Sequence, residues 1–281
     1  MGKILWFGMP SGMPQGTHVA LYLAKVMKEA KSPSPIVAAA YGISWAHVKA
    51  MVQDPCVHPL VLQVREAAKR MLSQPVQKKK PLSALHVRAL VDGFAQPGAQ
   101  LKDLQTVLLI VLGFAGFLRW NDLSGLLVEH MSFHSSHLLL YLPKRKNDQF
   151  YRGHHIHISR SGQPTCPVAL TERFLGRSGL STGPLFTVIS GQGSAQKISD
   201  KGLSYAQARR NVLGLFSKIG LDCKQYGLHS LRAGGATCAS KSGVSERLIS
   251  AHGGWRSAEA RNGYIRDDQY SLLSVSKALQ L

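Results

Sequence analysis

Three short stretches hold residues whose types and spacing could do chemistry. In Phe117-Leu-Arg-Trp-Asn-Asp-Leu-Ser-Gly-Leu, Arg119 stands at the end of an apolar run, three residues before Asp122. A guanidinium in such surroundings needs an anion, either a carboxylate or a phosphate. Alone, this segment favours the carboxylate, as an Arg119–Asp122 pair within one helix. In Gly227-Leu-His-Ser-Leu-Arg-Ala-Gly-Gly-Ala-Thr, His229 and Arg232 lie three apart and so share one helix face. Ala233, Gly234, Gly235 and Ala236 follow and let a backbone or a ligand come close. That His/Arg spacing is common by chance. In the third stretch, Gly253-Gly254 leads into Trp255, and Tyr264 follows nine residues later. Taken alone, both aromatics read as core.

The elements that must position these residues belong to a chain of 281 residues with 34 Lys+Arg against 15 Asp+Glu, a formal charge of +19, and 44% hydrophobic residues. So much apolar content supports one large folded domain or two modest ones and excludes a disordered basic tail. The excess of positive charge points to a polyanion. Nucleic acid is the leading candidate, ahead of an anionic membrane surface, and a merely basic soluble protein is the bland alternative. Apolar runs such as Thr106–Phe117 fall short of the roughly 18–20 residues a bilayer demands. No secretory leader pattern opens the chain. Cys56, Cys166, Cys223 and Cys238 form no CxxC pair and read as reduced thiols, neither a zinc knuckle nor a disulfide frame.

Periodicity predicts a mainly α fold with a small β-hairpin or sheet (α+β). Residues 1–16, rich in Gly, Met and Pro, read as a loose or truncated start. Thr17 is placed to cap a first helix, Ser32-Pro33-Ser34-Pro35 to break it and open a second, and Pro59 to begin a third, so that 17–72 form a small helical domain. Residues 73–83, SQPVQKKKPLS, read as a basic linker in which Lys78, Lys79 and Lys80 are solvated, with a nuclear import signal as the weaker reading. The second domain, 84–281, opens on a helix capped by Ser83, followed by an apolar helix from about Leu101 to Phe117. HLLLYL and YRGHHIHI flank PKRKNDQF as a hairpin with a cationic tip. His155 and His157 share a strand face with no evident third ligand and read as exposed strand histidines rather than a metal site. A helix opens at Pro167, residues 176–202 read as loop, and short helices broken by glycines complete the chain.

Taken together, in order and spacing, the three stretches resemble the tyrosine recombinase (phage integrase) family, whose active site runs Arg, Lys, His-x-x-Arg, His or Trp, then Tyr. The resemblance covers most of the chain. It is strongest in AHGGWRSAEARNGYIRD, which resembles the matching stretch of Cre recombinase, where tryptophan replaces the commoner histidine. ALYLAKVMKEAKSPSPIVAAAYGISWAH resembles the core-binding domain that clamps the other face of DNA. The wording HPL at 58–60 and SVSKALQL at the end resembles most the recombinases of eukaryotic tyrosine-recombinase retroelements. Two features depart from the pattern: the first sixteen residues do not look like a complete first helix of that domain, and 176–202 carry no readable motif.

The resemblance implies catalytic roles for Arg119, Lys146, His229, Arg232, Trp255 and Tyr264, with Asp122 supporting Arg119. Arg119 and Arg232 would bind the non-bridging oxygens of the scissile phosphate, each able to donate bidentately while staying charged. Lys146 would protonate the departing 5′ oxygen, with Lys144 and Arg145 as rivals because a hairpin register is easily misjudged. His229 would hydrogen-bond the phosphate or take the tyrosine proton, and the Trp255 N–H would donate to a phosphate oxygen. His252 rivals Trp255 but lies twelve residues from Tyr264 rather than nine. Tyr264 would be the nucleophile. A phenol ionises in water only near pH ~10, so it needs cations and a base at hand. Attack would yield a 3′-phosphotyrosyl enzyme and a free 5′ hydroxyl, with neither metal nor cofactor.

The partner implied is double-stranded DNA, contacted also by Lys78, Lys79, Lys80, Lys144 and Arg145. A homo-tetramer would assemble on it, with Asp267–Leu281 docking on a neighbouring protomer. Neither a membrane nor a small-molecule substrate is implied. Localisation would be nuclear in a eukaryotic host and otherwise cytoplasmic or nucleoid, without secretion. Two other classes of function compete. One is a DNA-binding protein descended from such an element, against which the intact catalytic set argues. The other is a type IB topoisomerase, against which the small helical domain and the Cre-like tail argue.

Overall fold

Thr17 does not begin the first helix. In the computed structural model, which describes residues 14–75, 77–146, 148, 150–191 and 193–279, α1 spans Gln15–Glu29 with Pro14 at its N-cap position. The early start has a packing cause. Gly16 lies against His58, where a Cβ would come within 2.3 Å of the histidine's own Cβ, so only glycine lets the first turn form there. The expectation of a loose 1–16 otherwise falls on residues 1–13, outside the described residues.

The chain divides into two compact units, residues 1–77 and 78–281. In the first, α1 is joined by α2 (Ser34–Lys49) and α3 (Pro59–Leu72). Both later helices carry proline in their first turn, where a missing N–H costs nothing. Leu23, Ile36, Val61 and Ala68 are fully buried between these helices.

The second unit is built around α5 (Leu101–Ala115), whose residues from Leu104 to Gly113 are all buried. A helix apolar all round must be covered all round. The covering elements are α4 (Ala84–Phe94), α7 (Pro167–Ser178), α8 (Tyr205–Lys218) and α9 (His229–Lys241). Ser83 caps α4, its hydroxyl accepting from the His86 N–H at 3.2 Å. Between α5 and α7 lie the short α6 (Trp120–Ser124) and an antiparallel sheet of β1 (Met131–Phe133), β2 (His137–Leu142) and β3 (His154–Ser159). Leu140 faces Ile156 across the β2–β3 ladder. One face buries Leu138, Leu140, Leu142, Ile156 and Ile158, while His155 and His157 stand exposed on the other. The chain ends in α10 (Glu246–Gly253), α11 (Ala258–Asn262) and α12 (Gln269–Ala278). Among the described residues no helix is long and apolar enough to cross a membrane. The fold is mainly helical with small sheets, as the periodicity predicts.

Two segments differ from the sequence reading. Residues 176–202 are not wholly loop: β4 (Thr187–Ser190) pairs with β5 (Lys197–Gly202), and Gln196 between them accepts the Leu101 N–H at 2.8 Å, satisfying a free donor at the start of α5. These strands carry too few apolar residues to stand out from their Gly/Ser surroundings. Within 73–83, expected as a linker, residues 80–82 are fastened to the second unit. The Lys80 N–H donates to Gln225 O and the Leu82 N–H to Ser230 O, and Leu82 is buried.

The small residues after Arg232 let α9 approach backbone directly. A Cβ on Gly235 would fall 2.0 Å from Phe114 O, and one on Gly234 2.2 Å from Leu82 O. Neither oxygen can move without shifting main chain. Gly235→Ala is therefore expected to destabilise the protein by about 3 kcal/mol. Gly214→Ala, in the open middle of α8 with nothing within 4 Å of its Cβ, should stabilise it by roughly 0.5–1 kcal/mol. Denaturant melts of the two variants check this. Equal midpoints would show that α9 does not need the glycine.

Candidate active site

The site forms where the end of α5, the start of α9 and the turn after α10 converge. Phe117 leaves α5 with a left-handed backbone (φ 48°), uncommon for a bulky residue, and this turns its carbonyl toward α9. There Arg232, 1% exposed, donates Nη1 to Phe117 O and Nη2 to Gly253 O at 2.9 Å. Its guanidinium carbon sits 4.0 Å from the Trp255 ring centroid and 4.9 Å from that of Tyr264. The two rings are 5.4 Å apart. Burial first, then the charges of Arg119 and Arg145, push the Arg232 pKa down to about 9, which still leaves it charged at neutral pH.

The Gly-Gly-Trp frame has a steric basis. A Cβ on Gly253 would lie 2.0 Å from the Trp255 indole, and Gly254 (φ +65°) makes the left-handed turn that ends α10. Trp255 is 7% exposed, and its indole Nε1, like Nε of Arg232, is buried without a hydrogen-bond partner among the described residues. Tyr264 follows α11 and is half-buried. Thr237 of α9 holds its segment by donating to Tyr264 O at 3.4 Å and accepting the Arg266 N–H at 3.1 Å. Arg261, 4% exposed, ties α11 to α10 through Glu246 (2.6 Å) and Ser250 (3.3 Å). Neither Thr237 nor Arg261 has a local sequence signal, since both act across elements.

Asp122 is 3% exposed but does not pair with the Arg119 guanidinium. Its Oδ2 accepts the Arg119 backbone N–H at 2.9 Å and Nη2 of Arg145 at 3.1 Å. Arg145, expected as an exposed cation at the hairpin tip, is instead 7% exposed and folded inward. A buried carboxylate demands a buried partner, and Arg145 supplies it. The lysines on either side face outward. Lys146 is an exposed turn residue, and Lys144 donates to the Tyr151 hydroxyl at 2.6 Å. His229 is the first residue of α9, exposed one turn ahead of Arg232. The structure thus gathers Arg119, Asp122, Arg232, Trp255 and Tyr264 and adds Arg145 and Phe117, whereas His229 and Lys146 are exposed and, among the described residues, make no hydrogen bond or ring contact with this group. Lys78, Lys79 and Lys80 line a pocket of about 330 Å³ with Thr237, Lys241 and Arg266.

His252 is committed to structure. Its Nε2–H donates to Ala115 O at 2.8 Å and its ring packs on Phe117 at 4.7 Å. Burial holds its pKa below the usual value, and burial followed by Arg145 does the same for His154. In the unfolded chain both imidazoles take protons near pH ~6.5. Folding then excludes protons, so their contribution is fully present above that pH and is lost as pH falls through the lowered folded values. The melting temperature should decline as pH falls below about 6.5, and less steeply in His252→Gln. Parallel profiles for the two proteins would show that His252 is not buried neutral.

No family model matches the chain. An integrase/recombinase XerD homolog from Selenomonas ruminantium is 27% identical over 215 residues, covering 75% of this chain and 61% of that protein, so the chain spans less than two thirds of the relative's length. Among solved structures, the Tn1549 transposon integrase in complex with circular intermediate DNA superposes with a TM-score of 0.60 at 12% identity, over 96% of this chain and 86% of that one. A λ integrase dimer bound to a core site gives 0.56 at 16% identity, over 93% and 82%. XerH recombinase in a post-cleavage complex with difH substrate gives 0.54 at 16%, over 75% of this chain and 56% of that one. At these identities the structures establish the fold. The chain thus has the fold of these integrases and recombinases and resembles the XerD homolog in sequence.

Proposed function

We propose that the protein cuts and rejoins DNA strands by site-specific recombination or integration, through a covalent bond between Tyr264 and a 3′ phosphate. One observation carries this reading: the Tyr264 ring lies 4.9 Å from a buried guanidinium, beside a tryptophan whose buried N–H has no partner among the described residues. A phenol so placed, with donors prepared for an oxyanion, suits in-line attack on phosphorus.

In the proposed reaction the Tyr264 oxygen bonds to phosphorus and gives its proton to His229. The phosphorus–O5′ bond breaks, and the departing oxygen takes a proton from Lys146, which the hairpin loop must bring to it. Arg119, Arg232 and the Trp255 N–H bind the non-bridging oxygens, and Asp122 fixes the turn bearing Arg119. No step calls for a metal. Residues 17–72 would be the core-binding domain, 84–281 the catalytic domain, and Lys78, Lys79, Lys80 and Lys144 contacts to the DNA backbone. The substrate would be double-stranded DNA and the working form a tetramer. The exposed Leu272, Leu273 and Val275 of α12 are suited to a neighbouring protomer. Trp255 would make this a Cre-like variant. A retroelement origin would place it in a nucleus, whereas the Selenomonas relative is bacterial and favours a nucleoid setting.

The test is covalent trapping on supercoiled plasmid in the presence of a chelator. Detergent-stable protein–DNA adducts support the reading. Salt-sensitive binding without an adduct, on plasmid and on paired candidate sites alike, overturns it in favour of a DNA-binding protein that no longer recombines.

A further inference from the structure

The recombinase reading puts two arginines on the scissile phosphate, yet the site contains a third, which that reading treats as an exposed DNA contact. Arg145 comes from the loop between β2 and β3, is 93% buried by its 7% exposure, and presents its guanidinium toward the cluster around Arg232. Only one of its three nitrogens is used. Nη2 holds Asp122 at 3.1 Å, while Nε and Nη1 are buried with no hydrogen-bond partner among the described residues. Leaving two charged donors dry is costly unless something else completes them.

The surrounding chain is shaped to this guanidinium. Gly254 lies against it so closely that a Cβ would come within 2.5 Å of Nη1, and the same glycine makes the turn that delivers Trp255. Unpartnered donors therefore come from three residues: Nε and Nη1 of Arg145, Nε of Arg232, and Nε1 of Trp255. Arg119, Arg145 and Arg232 bring three positive charges against the single carboxylate of Asp122. The remaining excess of two matches the double negative charge a phosphodiester carries once it becomes five-coordinate, having been singly charged before.

We propose that Arg145 is a third phosphate-binding guanidinium of this site, with Asp122 anchoring Nη2 so that Nε and Nη1 donate to a non-bridging oxygen. This rests on the recombinase reading for its substrate but not for its geometry, because the cradle would bind any small tetrahedral oxyanion. It also divides the labour of the hairpin. Arg145 binds charge, which a guanidinium does at any working pH but which leaves it unable to donate a proton, and the adjacent Lys146 is left free for proton transfer.

Inorganic phosphate is the probe. The melting temperature of the full chain is followed against phosphate concentration, with chloride matched in ionic strength, for the wild type, Arg145→Gln, Arg145→Lys, Gly254→Ala and Arg160→Gln. Arg160 pairs with Glu172 on the surface, away from the site, and serves as the control. The wild type and Arg160→Gln should be stabilised by phosphate beyond the chloride effect. Arg145→Gln should lose about tenfold or more in apparent affinity, and Arg145→Lys should recover only part of it because an ammonium lacks the fork.

Arg145→Gln leaves Asp122 buried without its cation and could fail to fold. Gly254→Ala then decides, since its Cβ presses on Nη1 while both ion-pair partners are retained, with the added strain of alanine in the left-handed turn. A wild type indifferent to phosphate, or folded Arg145 and Gly254 variants that respond like the wild type, overturns the proposal. This readout needs no strand cleavage. A chain that binds phosphate through Arg145 yet forms no DNA adduct keeps the cradle and loses the recombinase reading. A chain that forms adducts unaffected by Arg145 substitution does the reverse.

Discussion

Tyr264→Phe is expected to abolish detergent-stable DNA adducts completely while leaving the protein as stable as the wild type to within roughly 0.5 kcal/mol. The two halves of this expectation come from different features of the residue. The ring packs on Trp255 and on the Arg232 guanidinium, and phenylalanine preserves both contacts. The hydroxyl makes no hydrogen bond to any described residue, so removing it orphans no buried donor or acceptor. Only a covalent role needs the oxygen. Plasmid trapping and a denaturant melt on the same preparation separate the halves. Adducts persisting in the variant would move the nucleophile elsewhere, and a large loss of stability would mean that the hydroxyl is structural.

Arg232→Lys is expected to slow strand cleavage by about 10²–10³-fold, the cost typical of losing a preorganised donor to a developing oxyanion. Arg232 does more than supply charge. Two of its nitrogens hold the Phe117 and Gly253 carbonyls, and its flat face lies on Trp255. A lysine keeps the charge but cannot hold both carbonyls and stack at once. Each buried carbonyl left unpaired costs about 1–3 kcal/mol, so the variant should also melt earlier. Cleavage measured well below the melting range distinguishes a disrupted phosphate site from unfolding. A variant within threefold of wild-type cleavage would show that Arg232 is a structural clamp only.

Much of this site was legible because its parts are local. Helical spacing alone puts His229 one turn ahead of Arg232 on α9, although Arg232 is buried and His229 exposed. The run Gly253-Gly254-Trp255 reads as a turn because only glycine can accept the indole overhead and the left-handed backbone beside it. The β2–β3 hairpin is visible as two β-prone runs, HLLLYL and HHIHI, and the alternation of the second also foretold exposed histidines at 155 and 157.

The loop joining those strands was not legible in the same way. The strand ends at Leu142, so no period says which of Lys144, Arg145 and Lys146 turns inward. That choice was made by Asp122, a buried carboxylate far away in sequence, whose desolvation is offset by a guanidinium at 3.1 Å. In the same way β4 and β5 exist because Thr187–Ser190 and Lys197–Gly202 find each other, and Gln196 caps a helix ninety-odd residues away.

By its own spacing, the sequence determined the kinds of chemical group available, their order, and the helices and hairpin that bear them, because hydrogen bonds and side-chain periods within a few residues decide these. Only the tertiary structure decided which arginine is buried, which lysines stay outside, and that Thr237 and Arg261 hold the tyrosine segment. Those outcomes depend on pairing charges and filling space between elements far apart in the chain.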